Sequence, residues 1–419
     1  MHLNPSGQRG LSAYAVYLIL SGGRSLFFTL IFTVNMIYFV TTLKLDPLQL
    51  VLVGTTLEAS AFLFEVPTGV VADVYSRRLS IIIGMLLMGA AFILQGAVPT
   101  YAAVLLAQVG WGIGYTFTSG ATEAWIVDEI GEERAGQAFM RASQANYVGG
   151  ILGTIASVGL AALLRIEVPM ILGGVLFLGL GVFLILYMPE TGFKRATEGD
   201  RRSWSAMFGT FREGVQLVRM KPVLISILAI TVVYGVASEG FDRLWHKHVI
   251  DTITLPGLFE PVIWFGIIGV ISKIIGLGVN EFIRRRLDFN SPVAVARASM
   301  ILNLMIAGGI LALALTGNLA VAFVALWFIG PLRGASDPVY SAWINQSLDP
   351  RVRATVLSMS SQVNALGQVA GGPVVGLIGN LASVRAALAV SALIWAAATP
   401  LYRRSVREPI TVPEAGISN

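Results

Sequence analysis

The chain has no cysteine and only three histidines in 419 residues. Disulfides, thiolate metal sites and cysteine nucleophiles are therefore excluded, and so few imidazoles argue against a metal-centred enzyme. Charge is scarce too: Asp, Glu, Lys and Arg make up 13% of the residues, against about 25% in a soluble domain. A chain this poor in charge cannot cover a water-facing surface, so lipid must be its main solvent. No P-loop of the Gly-x-x-x-x-Gly-Lys-Ser/Thr form occurs, which argues against ATP-driven work by this chain. No histidine sits well inside an apolar run, so a clustered nucleophile and base for intramembrane catalysis is not in view. The expectation is a protein that is not an enzyme, with no cofactor and no metal.

What is abundant is apolar. Hydrophobic residues make up 55% of the chain and mean hydropathy is +0.74. A membrane span needs roughly 20 mostly apolar residues. Such runs occur at Ala13–Val40, Leu48–Thr68, Leu79–Val98, Tyr101–Ser119, Phe139–Leu164 and Pro169–Tyr187, then at Pro222–Gly240, Glu260–Val279, Val293–Leu315, Leu319–Val339, Thr355–Leu381 and Ala386–Leu401. The first run is too long for the core of a cleavable signal peptide and reads as a retained span. The pattern predicts an all-α integral membrane protein of twelve transmembrane helices. Residues 1–189 form one six-helix bundle, 190–221 a cytoplasmic linker, and 222–419 a second bundle. Within the linker Trp204, Met207, Phe208, Phe211, Val215 and Val218 recur at helical spacing, which predicts an amphipathic helix on the membrane surface.

The formal net charge of +5 is not a nucleic-acid signal, because the basic residues sit in short loops. Arg77 and Arg78, Arg134, Arg284 to Arg286, Arg351 with Arg353, and Arg403 with Arg404 all follow even-numbered spans, while the opposite loops are nearly bare. Lys and Arg mark the cytoplasmic side. Both termini are therefore expected in the cytoplasm, with the chain a multi-pass monomer in the cell (inner) membrane whose partners are the bilayer, a small-molecule substrate and protons.

The chain also matches itself at a shift of 218 residues. Ala124-Trp125-Ile126 corresponds to Ala342-Trp343-Ile344, Gln144 to Gln362, Asn146 to Asn364, and Gly149 and Gly153 to Gly367 and Gly371. A six-span unit repeated in one orientation predicts two parallel pseudo-repeats related by an axis along the membrane normal. Two such halves are suited to rocking about a central site.

After span 2 the sequence reads Gly69-Val70-Val71-Ala72-Asp73-Val74-Tyr75-Ser76-Arg77-Arg78. It resembles the loop signature of the major facilitator superfamily, Gly-x-x-x-Asp-x-x-Gly-Arg-Arg/Lys, with Ser76 in place of the usual glycine. The resemblance implies a gating latch: Gly69 allows close helix approach, Asp73 and Arg78 belong to the signature, and Arg77 pairs with an acid at the end of span 4, here Asp128. Pro189-Glu190-Thr191 closes span 6 as in many members. Within the superfamily the chain looks most like the drug:proton antiporter branch, which holds tetracycline and macrolide exporters. Two departures stand against that branch. Gln108 occupies the place of a span-4 arginine, and Gly149 to Gly153 has no Gly-Pro pair.

Ionisable groups at mid-span are functional candidates by default. Arg24 lies about 16 Å along the first helix, at 1.5 Å per residue, and Glu58 lies at similar depth in span 2. They are expected either to pair across the two helices or to serve the cavity. Tyr17, Arg24, Phe28, Ile31 and Asn35 share one stripe of span 1. Near the end of span 7, Glu239 and Asp242 share a face, a spacing at which two carboxylates can share one proton. Arg243 is adjacent to Asp242, so the two need separate partners, and His246 and His248 are expected at the rim. Arg333 and Asp337 are an i, i+4 pair, with Tyr340 continuing their face. Glu58, Glu239, Asp242 and Asp337 are the proton-coupling candidates. Arg24, Asn35, Trp111, Tyr115, Gln144, Asn146, Tyr147, Arg333, Tyr340, Gln362 and Asn364 are the candidate cavity residues, although Asn, Gln and single aromatics serve equally well in helix packing. The resulting expectation is a secondary transporter working by alternating access, exporting lipophilic or amphipathic drugs on a proton gradient. The alternative is a proton-coupled symporter or facilitator for a small metabolite.

Overall fold

A computed structural model describes residues 11–194, 222–347 and 350–407. The expected amphipathic linker helix and both extreme termini lie outside these residues. Fourteen α-helices make up the described chain: α1 (Ala13–Thr41), α2 (Pro47–Val70), α3 (Arg77–Ala97), α4 (Tyr101–Thr118), α5 (Ala121–Ile130), α6 (Glu132–Leu163), α7 (Val168–Tyr187), α8 (Pro222–Thr252), α9 (Pro261–Arg286), α10 (Pro292–Leu315), α11 (Leu319–Ser347), α12 (Pro350–Leu381), α13 (Val384–Ala396) and α14 (Thr399–Arg407). A bilayer leaves no water for backbone groups, so spans must satisfy them internally as helices. Ten of the helical spans are long and apolar enough to cross a membrane. The pair α4–α5 and helix α12 complete the twelve, the last span being α13 with α14.

Polar caps start the helices where the apolar runs begin. Ser12, Ser76, Thr100, Ser291 and Ser383 each accept a backbone N–H from the first turn of the helix that follows. Span 4 is broken at Gly120, whose φ of 67° favours glycine. The break restarts the chain as α5 and re-aims the residues after it. Helix α2 loosens into a π turn over Val71–Tyr75 just before α3.

The chain divides into two compact units. Unit 1 takes in residues 11–45, 56–194 and 258–266 of the described chain, and unit 2 takes in 46–55, 222–257 and 267–407. The same helix pairing recurs in each. In unit 1, span 1 packs on spans 5 and 6, and span 3 packs on spans 4 and 6. In unit 2, span 7 packs on spans 11 and 12, and span 9 on spans 10 and 12. The residues that align at a shift of 218 also do the same work. Trp125 and Trp343 are both buried, as are Ile126 and Ile344. Gly149 and Gly153 lie against the α1 backbone, where a Cβ on Gly153 would sit 2.5 Å from the Leu26 carbonyl; Gly367 lies against the α8 backbone in the same way, its Cβ 2.9 Å from the Val232 carbonyl. Small residues at these crossings are what lets helices pack closely in lipid.

One crossing has no slack on either side. A Cβ on Gly89 of α3 would lie 2.8 Å from the Gly174 carbonyl of α7, and one on Gly174 would lie 2.7 Å from the Gly89 carbonyl. Gly174→Leu is therefore expected to destabilise unit 1 by about 3 kcal/mol or more, at the upper end of overpacking. Gly179→Leu on the same helix, where a Cβ meets nothing within 4 Å, is expected to be silent. Size-exclusion profiles and melting temperatures of the two variants in detergent check the contrast; equal behaviour would show that the crossing tolerates a side chain.

Candidate functional site

Each unit carries a polar cavity of its own. The cavity of unit 2 holds about 440 Å³ between α8, α11, α12 and α13. Helix α8 contributes Thr231, Tyr234, Ser238 and Asp242, α11 contributes Arg333, Ser336, Asp337 and Tyr340, α12 contributes Asn364 and Gln368, and α13 contributes Trp395. Prolines 331 and 338 bracket the α11 segment. Each removes one backbone N–H from the helix ladder, so the carbonyls of Trp327 and Gly334 lose their usual donor.

Arg333 is held from three directions. Its Nη1 donates to Asp242 Oδ1, and its Nη2 donates to Asp242 Oδ2 at 2.9 Å. Its guanidinium also lies 5.4 Å from the Phe241 ring centroid and 5.2 Å from that of Trp395. A bidentate carboxylate together with two aromatic rings fixes a guanidinium in orientation as well as position. This corrects the expected i, i+4 pairing: Arg333 turns from Asp337, one turn along its own helix, to an acid on α8. Asp337 is left exposed to the cavity with no ion pair of its own among the described residues.

The expected Glu239–Asp242 acid pair does not form either. Glu239 is buried and accepts from Arg243 Nε at 3.0 Å, while Asp242 takes Arg333. Asp242 and Arg243 do find separate partners, as their adjacency requires. Helix α8 runs to Thr252, twelve residues past the expected end of span 7, so these charges sit mid-helix and not at its end. His248 is fully buried, with Nε2 2.8 Å from the Leu313 carbonyl, a packing contact and not a rim position. Tyr340 lines the cavity while its hydroxyl donates to the Ile227 carbonyl at 3.0 Å. Gln362 is half-buried on α12 and does not line this cavity.

The cavity of unit 1 holds about 340 Å³ between α1, α5 and α6. Tyr17, Ser21, Arg24, Phe28 and Thr29 enter from α1, Thr122 and Glu123 from the first turn of α5, and Asn146 from α6. Arg24 lies 5.8 Å from the Phe28 ring centroid. It shares this cavity with Glu123 and makes no ion pair with Glu58, which stands on α2 outside the lining.

The span-1 stripe accordingly divides in two. Its first half faces the cavity, whereas Ile31 and Asn35 are buried. Asn35 Oδ1 accepts from Gln95 Nε2 at 2.7 Å, and Gln95 Oε1 accepts from Gln108 Nε2 at 2.8 Å. Asn35 is thus a packing residue in a neutral hydrogen-bonded chain, and Gln108, in the place of the branch's arginine, is part of that chain. Trp111 is likewise packed, in a cluster with Phe28, Phe32 and Phe92. Tyr115, Gln144 and Tyr147 are exposed and line neither cavity; Gln144 accepts from Arg141 on its own helix. Glu123, Ser21 and Thr122 in unit 1, and Ser336 and Gln368 in unit 2, are cavity residues that sequence reasoning missed. The one visible signal is Gly120 followed by an acid in the next helical turn.

The loop after α2 is tied into a network within unit 1. Gly69 is buried in the last turn of α2, and Asp73 lies in the π turn. Arg77 pairs with Asp128 and donates to the Ala124 carbonyl at 2.8 Å. Ser76, where a glycine is usual, caps α3 and donates to Glu190 Oε2 at 2.6 Å; Glu190 Oε1 accepts from the Arg78 backbone at 2.9 Å. Glu129 in turn accepts from the Thr191 and Gly192 backbones. The departure at Ser76 is therefore matched by a carboxylate on the chain leaving span 6.

The Major Facilitator Superfamily profile matches residues 14–302. The chain belongs to this superfamily. A Bacillus subtilis (strain 168) protein named as the uncharacterized MFS-type transporter YxaM is 22% identical over 378 residues, covering 89% of this chain and 91% of that one. Among solved structures, a point mutant of the nucleoside transporter NupG superposes with a TM-score of 0.73 at 16% identity, covering 95% of this chain and 99% of the other. A bacterial homologue of the human lysosomal transporter Spinster gives 0.73 at 14% identity, covering 94% and 96%. A POT family transporter in complex with a thioalcohol-conjugated peptide gives 0.71 at 12% identity, also covering 94% and 96%. Identities this low carry the fold and not a substrate. This major facilitator protein is a multi-pass membrane transporter, and the members of its family are transporters, not enzymes.

Proposed function

We propose that the protein is a proton-coupled secondary transporter that moves a small, polar, charge-bearing metabolite by alternating access. The observation that carries this reading is the character of the two cavities, which place formal charges, hydroxyls and amides where a lipophilic substrate would need apolar wall. Asp337 is the proposed proton carrier, since it faces the unit 2 cavity while Arg333 is engaged by Asp242. The Arg77–Asp128 pair with Asp73 is the proposed gating latch. The basic loops support both termini in the cytoplasm and placement in the cell membrane, and the protein is taken to act as a monomer.

Proton-driven export of amphipathic drugs is the second reading. It is favoured by Tyr234, Tyr340 and Trp395 beside Asp337 in the unit 2 cavity, a surface suited to an amphipathic cation. Vesicles reconstituted with the protein and given an imposed pH gradient separate the two. The first reading expects gradient-dependent flux of polar charged metabolites and none of lipophilic cations. The reverse pattern establishes drug export, and flux that ignores the gradient rejects proton coupling in either form.

A further inference from the structure

Arg24 and Glu123 bring opposite charges into one cavity of about 340 Å³, yet they make no ion pair within 4.0 Å of each other, and neither has another ionic partner among the described residues. The contrast with unit 2 is direct: there Glu239 is closed by Arg243 and Asp242 by Arg333. Charges at membrane depth are kept only where something compensates them. A cation and an anion that share a small cavity without touching leave room for a ligand carrying the two complementary charges.

The chemistry of each group fixes the ligand's orientation. A guanidinium presents a planar fork of N–H donors matched to a carboxylate. Phe28 occupies one face of Arg24 and leaves the fork's edge available. Glu123, in the first turn of α5 and exposed to the cavity, accepts from an ammonium. The hydroxyls of Ser21 and Thr29 on the same lining serve uncharged polar groups between the two ends. We propose that the unit 1 cavity binds a small zwitterion, its carboxylate on Arg24 and its ammonium on Glu123. The assignment deepens the metabolite-transport reading and rests on it for turnover, though not for binding.

Calorimetric binding to purified protein in nanodiscs tests the assignment. The probes are alanine, β-alanine, γ-aminobutyrate and alanyl-alanine, which step the separation between the two charges, each with its N-acetyl and carboxamide derivatives. At least one zwitterion is expected to bind, and blocking either end is expected to weaken it about tenfold or more. Arg24→Gln is expected to erase the discrimination between acid and amide, and Glu123→Gln that between free and N-acetylated amine. Retained binding of the blocked derivative by Glu123→Gln shows that the variant is folded. No binding by any zwitterion, or binding of blocked forms as tight as the parent, overturns the proposal. If the expected pattern appears but reconstituted vesicles do not move the zwitterion, the site stands and the transport reading falls. If no zwitterion binds but vesicles move another solute at wild-type rate in both variants, transport stands and the zwitterion site falls.

Discussion

Asp337→Asn is expected to abolish concentrative transport while leaving exchange across the membrane intact. A pH difference of about one unit is worth ~1.4 kcal/mol for each proton moved, which supports a roughly tenfold substrate gradient at one proton per cycle. A permanently neutral amide cannot load or release that proton, so the wild-type gradient of about tenfold should collapse to unity in the variant. The isosteric side chain keeps the cavity's shape, and Arg333 keeps its partner because that partner is Asp242. Counterflow of labelled substrate with no pH gradient should therefore continue near the wild-type rate. Vesicle uptake and counterflow on the same preparations check both halves. Undiminished accumulation would remove Asp337 from the coupling step, and loss of counterflow as well would mark it as a substrate-binding residue.

The twelve spans and the repeat are legible because the bilayer permits so little else. Each span must be long, apolar and helical, and the glycines that recur at a shift of 218 hold equivalent crossings in both units, where the recurring tryptophans are both buried. Sequence reasoning fails where charges are satisfied by helical neighbours. The run Glu239 to Lys247 resembles the end of a span, but Glu239 pairs with Arg243 and Lys247 with Asp251, so the helix carries its polar stretch through to Thr252. Partners on other helices are out of reach: i, i+4 spacing offers Asp337 to Arg333, and nothing in the sequence can offer Asp242, ninety-one positions away. Asn35 is misplaced for the same reason, because its burial depends on Gln95 and Gln108, which are distant in sequence. Glu123 gives no signal of its own because its exposure to a cavity follows from the left-handed Gly120, which redirects the chain at the middle of span 4.

The Asp242–Arg333 pair decides whether unit 2 is held together by charge or by rings, and the two single substitutions should not be equivalent. Asp242→Asn leaves Arg333 over Phe241 and Trp395, contacts worth about 0.5–2 kcal/mol each depending on how dry they are. Arg333→Gln leaves two carboxylates, Asp242 and Asp337, lining one cavity without a fixed cation. The pair is neither sealed nor free: its side chains keep 27% and 42% of their exposure. Its loss should therefore fall between the 0–1 kcal/mol of a surface pair and the 3–5 kcal/mol of a broken buried one, or about 2 kcal/mol for Arg333→Gln and about 1 kcal/mol for Asp242→Asn. The double variant has neither an orphaned acid nor an orphaned base and should recover part of the loss, giving a coupling energy of about 1 kcal/mol or more. Melting temperatures at one fixed scan rate, measured for all four proteins, close the cycle. Additive single effects would mean that the aromatic clamp, and not the ion pair, sets the position of Arg333.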